Sequence, residues 1–377
     1  MTAGISKGAC PQCARRGLLL SDLAANIDRS VAGRAGDRAR DILALPDADI
    51  AASVAPRDGA ARLRAAAERS AMPSFGPRLA SLGCWSACVH SGGLPESLES
   101  LGPGAPRALF GVGDRTLLGR IDADRSVTIV GSRRCTSYGR EVAHELARLL
   151  TGAGILVISG MALGVDSAAH EGALAAGGPT VAVLGPGAER AYPRSGANLY
   201  GRIRANGLVV SELPPGSPTF RWMFPARNRL MAAMAGVTVV VEAAERSGSL
   251  ITAEMAIEGG RQVGAVPGRV TSWSSSGTNK LLAEGAAVVR DAQDVLDLLL
   301  GPGELEISAA GPPVTAEGRA LLAAVDAGAA TVDAIAVGAR RDFSAALIAL
   351  ARLERDGYLA SDSAGRYSRT ALVPPDI

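Results

Sequence analysis

The chain has 377 residues, enough for two or three hydrophobic cores, and its 47% hydrophobic against 20% charged residues exclude a disordered chain. No apolar run reaches the roughly eighteen residues that cross a bilayer, and Met1 to Cys13 lacks the apolar core of a signal peptide, so a cytoplasmic protein without a membrane partner is expected. A net charge of +2 makes no case for a polyanionic partner, so any nucleic-acid site must come from local clustering.

Residues 1–105 read as a helical N-terminal region. Leu18 to Leu20, Leu23, Ile27, Ile42, Leu43 and Leu45 suggest short amphipathic helices, and the stretches 73–78 and 91–107 are rich in Gly, Pro and Ser. From Val127 the pattern changes. Short apolar, β-branched runs at 127–130, 155–158, 180–184, 208–211, 237–241 and 262–266 alternate with helical stretches at 138–150, 165–176, 226–235 and 250–258. Continuous apolar strands separated by helices predict a doubly wound, Rossmann-like α/β domain with a mostly parallel sheet, over residues 106–300. Residues 301–313, with Gly301, Gly303, Gly311 and Pro312-Pro313, read as a linker. Three helical pieces and a hairpin over 314–377 predict a small winged-helix domain. Its 8 acids and 7 arginines give it no basic face, which favours protein contact over DNA reading.

The first strand ends in Gly131-Ser132-Arg133-Arg134. A strand-to-helix turn of this kind aims N–H groups and a helix N-terminus above the sheet, both favourable to phosphate, and Arg133 adds a bidentate donor. The second strand repeats the pattern in Ser159-Gly160-Met161-Ala162-Leu163-Gly164-Val165-Asp166, with Asp166 as a candidate N-cap. Two such turns side by side predict a site at the carboxyl edge of the sheet. A third patch runs Phe220-Arg221-Trp222-Met223-Phe224-Pro225-Ala226-Arg227-Asn228-Arg229, in a chain with only 3% aromatic residues. Arginines that track phosphates, beside rings that stack bases, are the ingredients of a single-strand groove; the competing reading buries Trp222 and Phe224 in a core. Ser247, Gly248 and Ser249 make another strand-to-helix turn. Of 39 basic residues only Lys7 and Lys280 are lysines, and Lys280 opens a helix expected on the same edge. No Gly-x-Gly-x-x-Gly follows the first strand and no Gly-Lys dipeptide occurs, so neither a dinucleotide nor an ATP cofactor is expected.

Together these residues resemble the DNA-processing protein A (DprA/Smf) family. The resemblance rests on Val130 to Arg133, Tyr138-Gly139, Ser159 to Asp166 with Ala169-His170, Tyr192-Pro193, Ser211-Glu212, Phe224 to Arg229, Ser247 to Thr252, Pro267-Gly268 and Asn279 to Leu281, in family order over about residues 127–290. It implies a protein that binds single-stranded DNA, passes it to the RecA recombinase in transformation or recombination, and dimerises through its Rossmann-like domain. By the same resemblance Arg133, Phe224, Arg227, Arg229 and Lys280 fall at DNA-contacting or pocket positions, and Ser159 and Gly160 at a backbone-donor turn. No catalytic residue is carried over, so the chain is not expected to be an enzyme. The N-terminal region resembles the family only in Cys88-Val-His90 and Leu94-Pro95.

Two other readings compete. A phosphoribohydrolase-like enzyme would need a tandem-glycine turn before its glutamate, whereas this chain has Arg246-Ser-Gly-Ser-Leu-Ile-Thr252 with Glu254 after it. Cys10, Cys13, Cys84, Cys88 and His90 hold enough ligands for tetrahedral zinc. The seventy-residue separation of the pairs favours free or partly buried thiols, and no metal is assigned. Cys135 has no second feature behind it, and His144 and His170 read as structural histidines.

Overall fold

The computed structural model describes residues 8–32, 35–91, 93–305, 314–362, 364–370 and 374. The chain divides into two units, Met1–Glu306 and Ile307–Ile377. Most of the expected linker, residues 306–313, lies outside the described residues, as does Lys7.

The larger unit starts with six helices: α1 (Pro11–Asp22), α2 (Ala24–Ser30), α3 (Ala35–Ala44), α4 (Asp47–Val54), α5 (Gly59–Ala71) and α6 (Phe75–Ser81). Leu19, Leu20, Leu23, Ile27, Leu43 and Ile50 are fully or almost fully buried among them, as the amphipathic pattern predicts. The sheet then takes β1 (Trp85–Cys88), β2 (Ala108–Gly113), β3 (Ser126–Val130), β4 (Leu156–Ser159), β5 (Thr180–Val183), β6 (Leu208–Ser211), β7 (Val237–Val240), β8 (Gln262–Ala265) and β9 (Ala287–Val288). Between them run α7 (Ser137–Gly152), α8 (Val165–Ala175), α9 (Ala197–Asn206), α10 (Met223–Met234), α11 (Gly248–Glu258) and α12 (Ser276–Ala283), with α13 (Ala292–Leu300) after the last strand.

The order across the sheet is β1-β2-β6-β5-β4-β3-β7-β8-β9. From β6 to β9 every pair is parallel, while β2 runs antiparallel to both β1 and β6. This is the expected doubly wound Rossmann-like sheet with an antiparallel edge added. Both faces are covered: Val181 and Val183 point into one core with Leu230 and Ala253, while Ala182 and Leu184 point into another with Leu199 and Ile203. The strands must therefore be apolar throughout, and all five residues of β3 are buried.

The boundary expected at residue 105 is corrected. β1 precedes it yet belongs to the sheet, and the N-terminal helices share one core with Leu213, Trp222 and Met223. The chain winds outward from β3 to β6, then returns to place β7 on the other side of β3. The carboxyl ends of β3 and β7 therefore flank the topological switch point, where such sheets open a crevice.

The smaller unit holds α14 (Ala316–Asp326), α15 (Val332–Gly338), α16 (Phe343–Arg355) and a hairpin of β10 (Leu359–Ser361) with β11 (Tyr367–Arg369). Leu321, Ile335, Ala346, Leu350 and Tyr358 are its fully buried residues. Helix, helix, helix and hairpin follow in the order read from the sequence.

Candidate functional site

A cleft of about 890 Å³ opens at the switch point. Its walls are the turn after β3, the turn after β7, the start of α8 and the first turns of α10, with Trp273 reaching in from the loop after β8.

The turn after β3 is held by its neighbours. The Ser132 N–H donates to the Glu242 carbonyl at 2.6 Å, and the Ser132 carbonyl accepts from the Val165 N–H at 3.2 Å. The buried Glu242 carboxylate accepts from the Thr136 N–H at 3.0 Å and from its hydroxyl at 2.5 Å, and Thr136 in turn caps α7 through the Gly139 N–H. Gly164 fits this crossing because its φ is +83° and a Cβ there would lie 2.2 Å from the Ser132 carbonyl oxygen. Gly164, not Asp166, occupies the N-cap of α8; Asp166 lies in the first turn and accepts from the Ala162 N–H at 3.3 Å.

These bonds occupy some of the backbone donors that the sequence placed at the edge. Besides Ser132 and Val165, the Arg134 N–H is taken by Ser132 Oγ at 3.1 Å and the Ser249 N–H by Ser247 Oγ at 3.4 Å. What the cleft presents is side chains. Arg133, Arg134, Arg221, Arg227 and Arg246 line it, and Asp166 is its one acid among the described residues. Five cations against one anion concentrate on this edge a charge that the chain's net +2 hides.

The mouth is aromatic. The Arg133 guanidinium lies over the Phe224 ring, 5.6 Å from its centroid. The Tyr192 ring is tilted 34° against Phe224 at 5.1 Å. Trp273 is 80% exposed although it borders the cleft. The N-terminal helices fix the entrance of α10: Asp28 accepts from the Arg221 N–H at 3.1 Å, and Trp222 Nε1 donates to the Ala24 carbonyl at 3.0 Å. Trp222 is therefore a core residue, and Phe224, two positions on, is the ring that lines the cleft.

The floor is charged and buried. Arg227 is buried, donates to the Val183 carbonyl and packs on Gly160, where a Cβ would fall 2.0 Å from its Nη1. Burial lowers its guanidinium to about 10, Asp166 opposing that fall and Arg133 adding to it. Burial likewise raises the Asp166 carboxyl, against Arg227 and the backbone N–H groups that favour its anion.

Nine of the expected site residues meet at this cleft: Gly131, Ser132, Arg133, Phe224, Arg227, Asn228, Ser247, Gly248 and Ser249. Five do not line it. Ser159 is buried and donates to the Ile129 carbonyl at 2.7 Å, Gly160 makes room for Arg227, and Gly164 makes room for Ser132. Arg229 is corrected from a phosphate contact to an internal tie: it is 3% exposed, pairs with Glu212 at 2.6 Å and donates to the Gly104 and Ala226 carbonyls. Lys280 lies on the exposed side of α12, 3.6 Å from Glu284. Its neighbour Asn279 is the residue that shapes the edge, bonding both the N–H and the carbonyl of Gly268 at 3.1 Å. Sequence reasoning missed Arg134, Arg246 and Trp273 as site residues; a tryptophan in a Ser/Gly loop was the available signal for the last.

Fold and site define a Rossmann-like protein with an arginine-lined, aromatic-rimmed cleft at its switch point. The chain belongs to the DNA recombination-mediator protein A family, whose model matches residues 86–300. It is 41% identical over 259 residues to the putative DNA processing protein DprA of Mycobacterium tuberculosis, covering 67% of this chain and 62% of that protein's length. It is also 41% identical over 192 residues to DprA of Streptococcus pneumoniae, covering 51% and 66%. Among solved structures, DprA of Streptococcus pneumoniae superposes with a TM-score of 0.58 at 31% identity, covering 76% of this chain and 95% of that one. DprA of Helicobacter pylori, a structure that concerns its single-stranded DNA binding mode, gives 0.50 at 33% identity over 55% and 93%.

Proposed function

We propose that the switch-point cleft binds single-stranded DNA, and that the chain, as a cytoplasmic homodimer joined through its Rossmann-like domain, hands that strand to RecA. The Arg133–Phe224–Tyr192 cluster carries the first half. A flexible strand offers phosphates to arginine and a π-face to an aromatic ring at the same step, whereas a duplex keeps its bases stacked inside. The single-stranded DNA binding of the Helicobacter pylori relative supports this reading. The RecA and dimer halves rest on family membership.

No catalytic role is assigned to any residue. N-glycosidic cleavage finds no support in the cleft, because Glu254 is exposed and outside its lining, and Asp166 is committed to the floor.

Photocrosslinking with an oligothymidine bearing 5-iodouracil tests the placement. Adducts are expected on Phe224, Tyr192 or Trp273, and adducts confined to other residues would contradict it. Assembly of RecA filaments on single strands, with and without the chain, tests the handover.

A further inference from the structure

Away from the cleft, α1 begins against the antiparallel edge of the sheet, and four metal-ligating side chains converge there. Cys10 is the N-cap of α1 and Cys13 lies in its first turn; Cys88 ends β1, and His90 lies in the 3-10 turn Val89–Ser91. The three Sγ atoms all lie within 4.8 Å of one another. His90 Nδ1 is 3.3 Å from Cys10 Sγ and 3.4 Å from Cys13 Sγ. Zinc–ligand bonds of about 2.3 Å to sulfur and about 2.0 Å to nitrogen set tetrahedral edges of about 3.8 Å between sulfurs and about 3.6 Å between sulfur and nitrogen. The three-sulfur cluster and the two contacts of His90 approach these edges; His90 lies outside the group whose ligand atoms are all within 4.8 Å of one another, so closing the tetrahedron needs its exposed ring to turn toward Cys88. All five cysteines are free, so no disulfide accounts for the convergence.

We propose that Cys10, Cys13, Cys88 and His90 form a structural zinc site that clips the start of α1 to the sheet edge. Three thiolates and one imidazole complete four-coordination and leave no position open for catalysis. The ligands come from two segments 75 to 80 residues apart, so the metal closes a long loop between the helical region and the sheet. An outer layer is in place: the Cys10 N–H donates to Cys88 Sγ at 3.4 Å, and Ser91 Oγ lies 3.5 Å from the same sulfur. Cys84 is left out, because its thiol faces the Leu82 carbonyl at 3.6 Å.

The test uses the full chain, purified under reducing conditions without chelator. Elemental analysis should find about one zinc per chain. Exchange for cobalt should give thiolate-to-metal charge transfer and the intense visible bands of a tetrahedral ion. Cys10→Ser and Cys88→Ser remove direct ligands, so each should lower zinc affinity by more than the roughly tenfold that loss of an outer-shell partner costs. Cys84→Ser and Cys135→Ser should leave it unchanged. His90 is exposed, so His90→Ala probes the site without opening the core, and it should also lose the metal; His90→Cys should keep zinc and shift the cobalt spectrum. A wild-type chain that is metal-free and gives no tetrahedral cobalt spectrum on reconstitution overturns the proposal. So does metal content that is indifferent to Cys10→Ser and His90→Ala.

Discussion

Arg133 and Phe224 come from different turns of the chain and meet at the mouth of the cleft, guanidinium over ring at 5.6 Å. In the proposed function Arg133 supplies a cation for the phosphate and Phe224 a face for the base at one step. Because Tyr192 braces the other contact of Phe224, the ring is held in place before any ligand arrives.

Replacing Phe224 with alanine removes that platform. Binding to an oligothymidine should weaken by about 1–3 kcal/mol, or roughly 5- to 150-fold. Phe224→Tyr should keep most of the affinity. Fluorescence anisotropy reads both, and an unchanged Phe224→Ala affinity would move the base contacts elsewhere.

Trp273 separates stacking from stability. At 80% exposure its ring stabilises the fold little, so Trp273→Ala should leave the urea midpoint within experimental scatter. Affinity for the oligothymidine should nevertheless fall by a few fold. A shifted midpoint with unchanged affinity would make Trp273 a structural residue.

The Arg229–Glu212 pair predicts the reverse pattern. Both side chains are nearly buried, at 3% and 11% exposure, so Glu212→Gln strands a buried cation. The expected cost is about 3 kcal/mol in a denaturant titration. A loss below about 1 kcal/mol would mean that the Gly104 and Ala226 carbonyls suffice for Arg229.

His170 makes stability pH-dependent. The Thr180 hydroxyl donates to the Val157 carbonyl, so it accepts from His170 Nδ1–H at 2.8 Å, which leaves Nε2 unprotonated and without a partner. Burial, with Arg227 adding to it, lowers this imidazole from 6.5 to about 3. The unfolded chain therefore takes up a proton below pH 6.5 that the folded chain refuses. The stabilising difference is full above that pH and is lost, at about 1.4 kcal/mol per unit, as pH falls toward 3. His170→Gln should flatten this part of the stability–pH curve, as hydrogen–deuterium exchange or thermal melts at pH 4 to 7 would read.

The parallel strands β3 to β8 were legible because burial on two faces forces continuous apolar runs, as in Ser126 to Val130, whereas the two-residue, partly exposed β9 was not. β1 and β2 were not. Trp85-Ser-Ala-Cys88 and Ala108 to Gly113 carry Ser, Cys and Gly and lie amid turn-rich sequence; β1 pairs with β2, and the pairing of β2 with β6 joins residues about a hundred positions apart. The turns at Gly131 and Gly164 were legible as glycine-bearing crossings, but the Val165 N–H bonds the Ser132 carbonyl and the Ser132 N–H bonds the Glu242 carbonyl after β7, a matter of three-dimensional closure. Arg133 and Arg229 look alike in sequence. The approach of Glu212, seventeen residues away, and of the Gly104 carbonyl makes Arg229 internal. The cysteines of α1 and β1 were visible but their meeting was not, since it depends on where α1 docks.

The most direct measurement is the salt dependence of oligothymidine and duplex binding for the wild type, Arg133→Ala and Arg246→Ala. The single strand should bind more tightly than the duplex, and each substitution should weaken binding and reduce the log–log salt slope by about 0.7. Equal affinity for strand and duplex, with slopes untouched by either substitution, would contradict a single-strand site in the switch-point cleft.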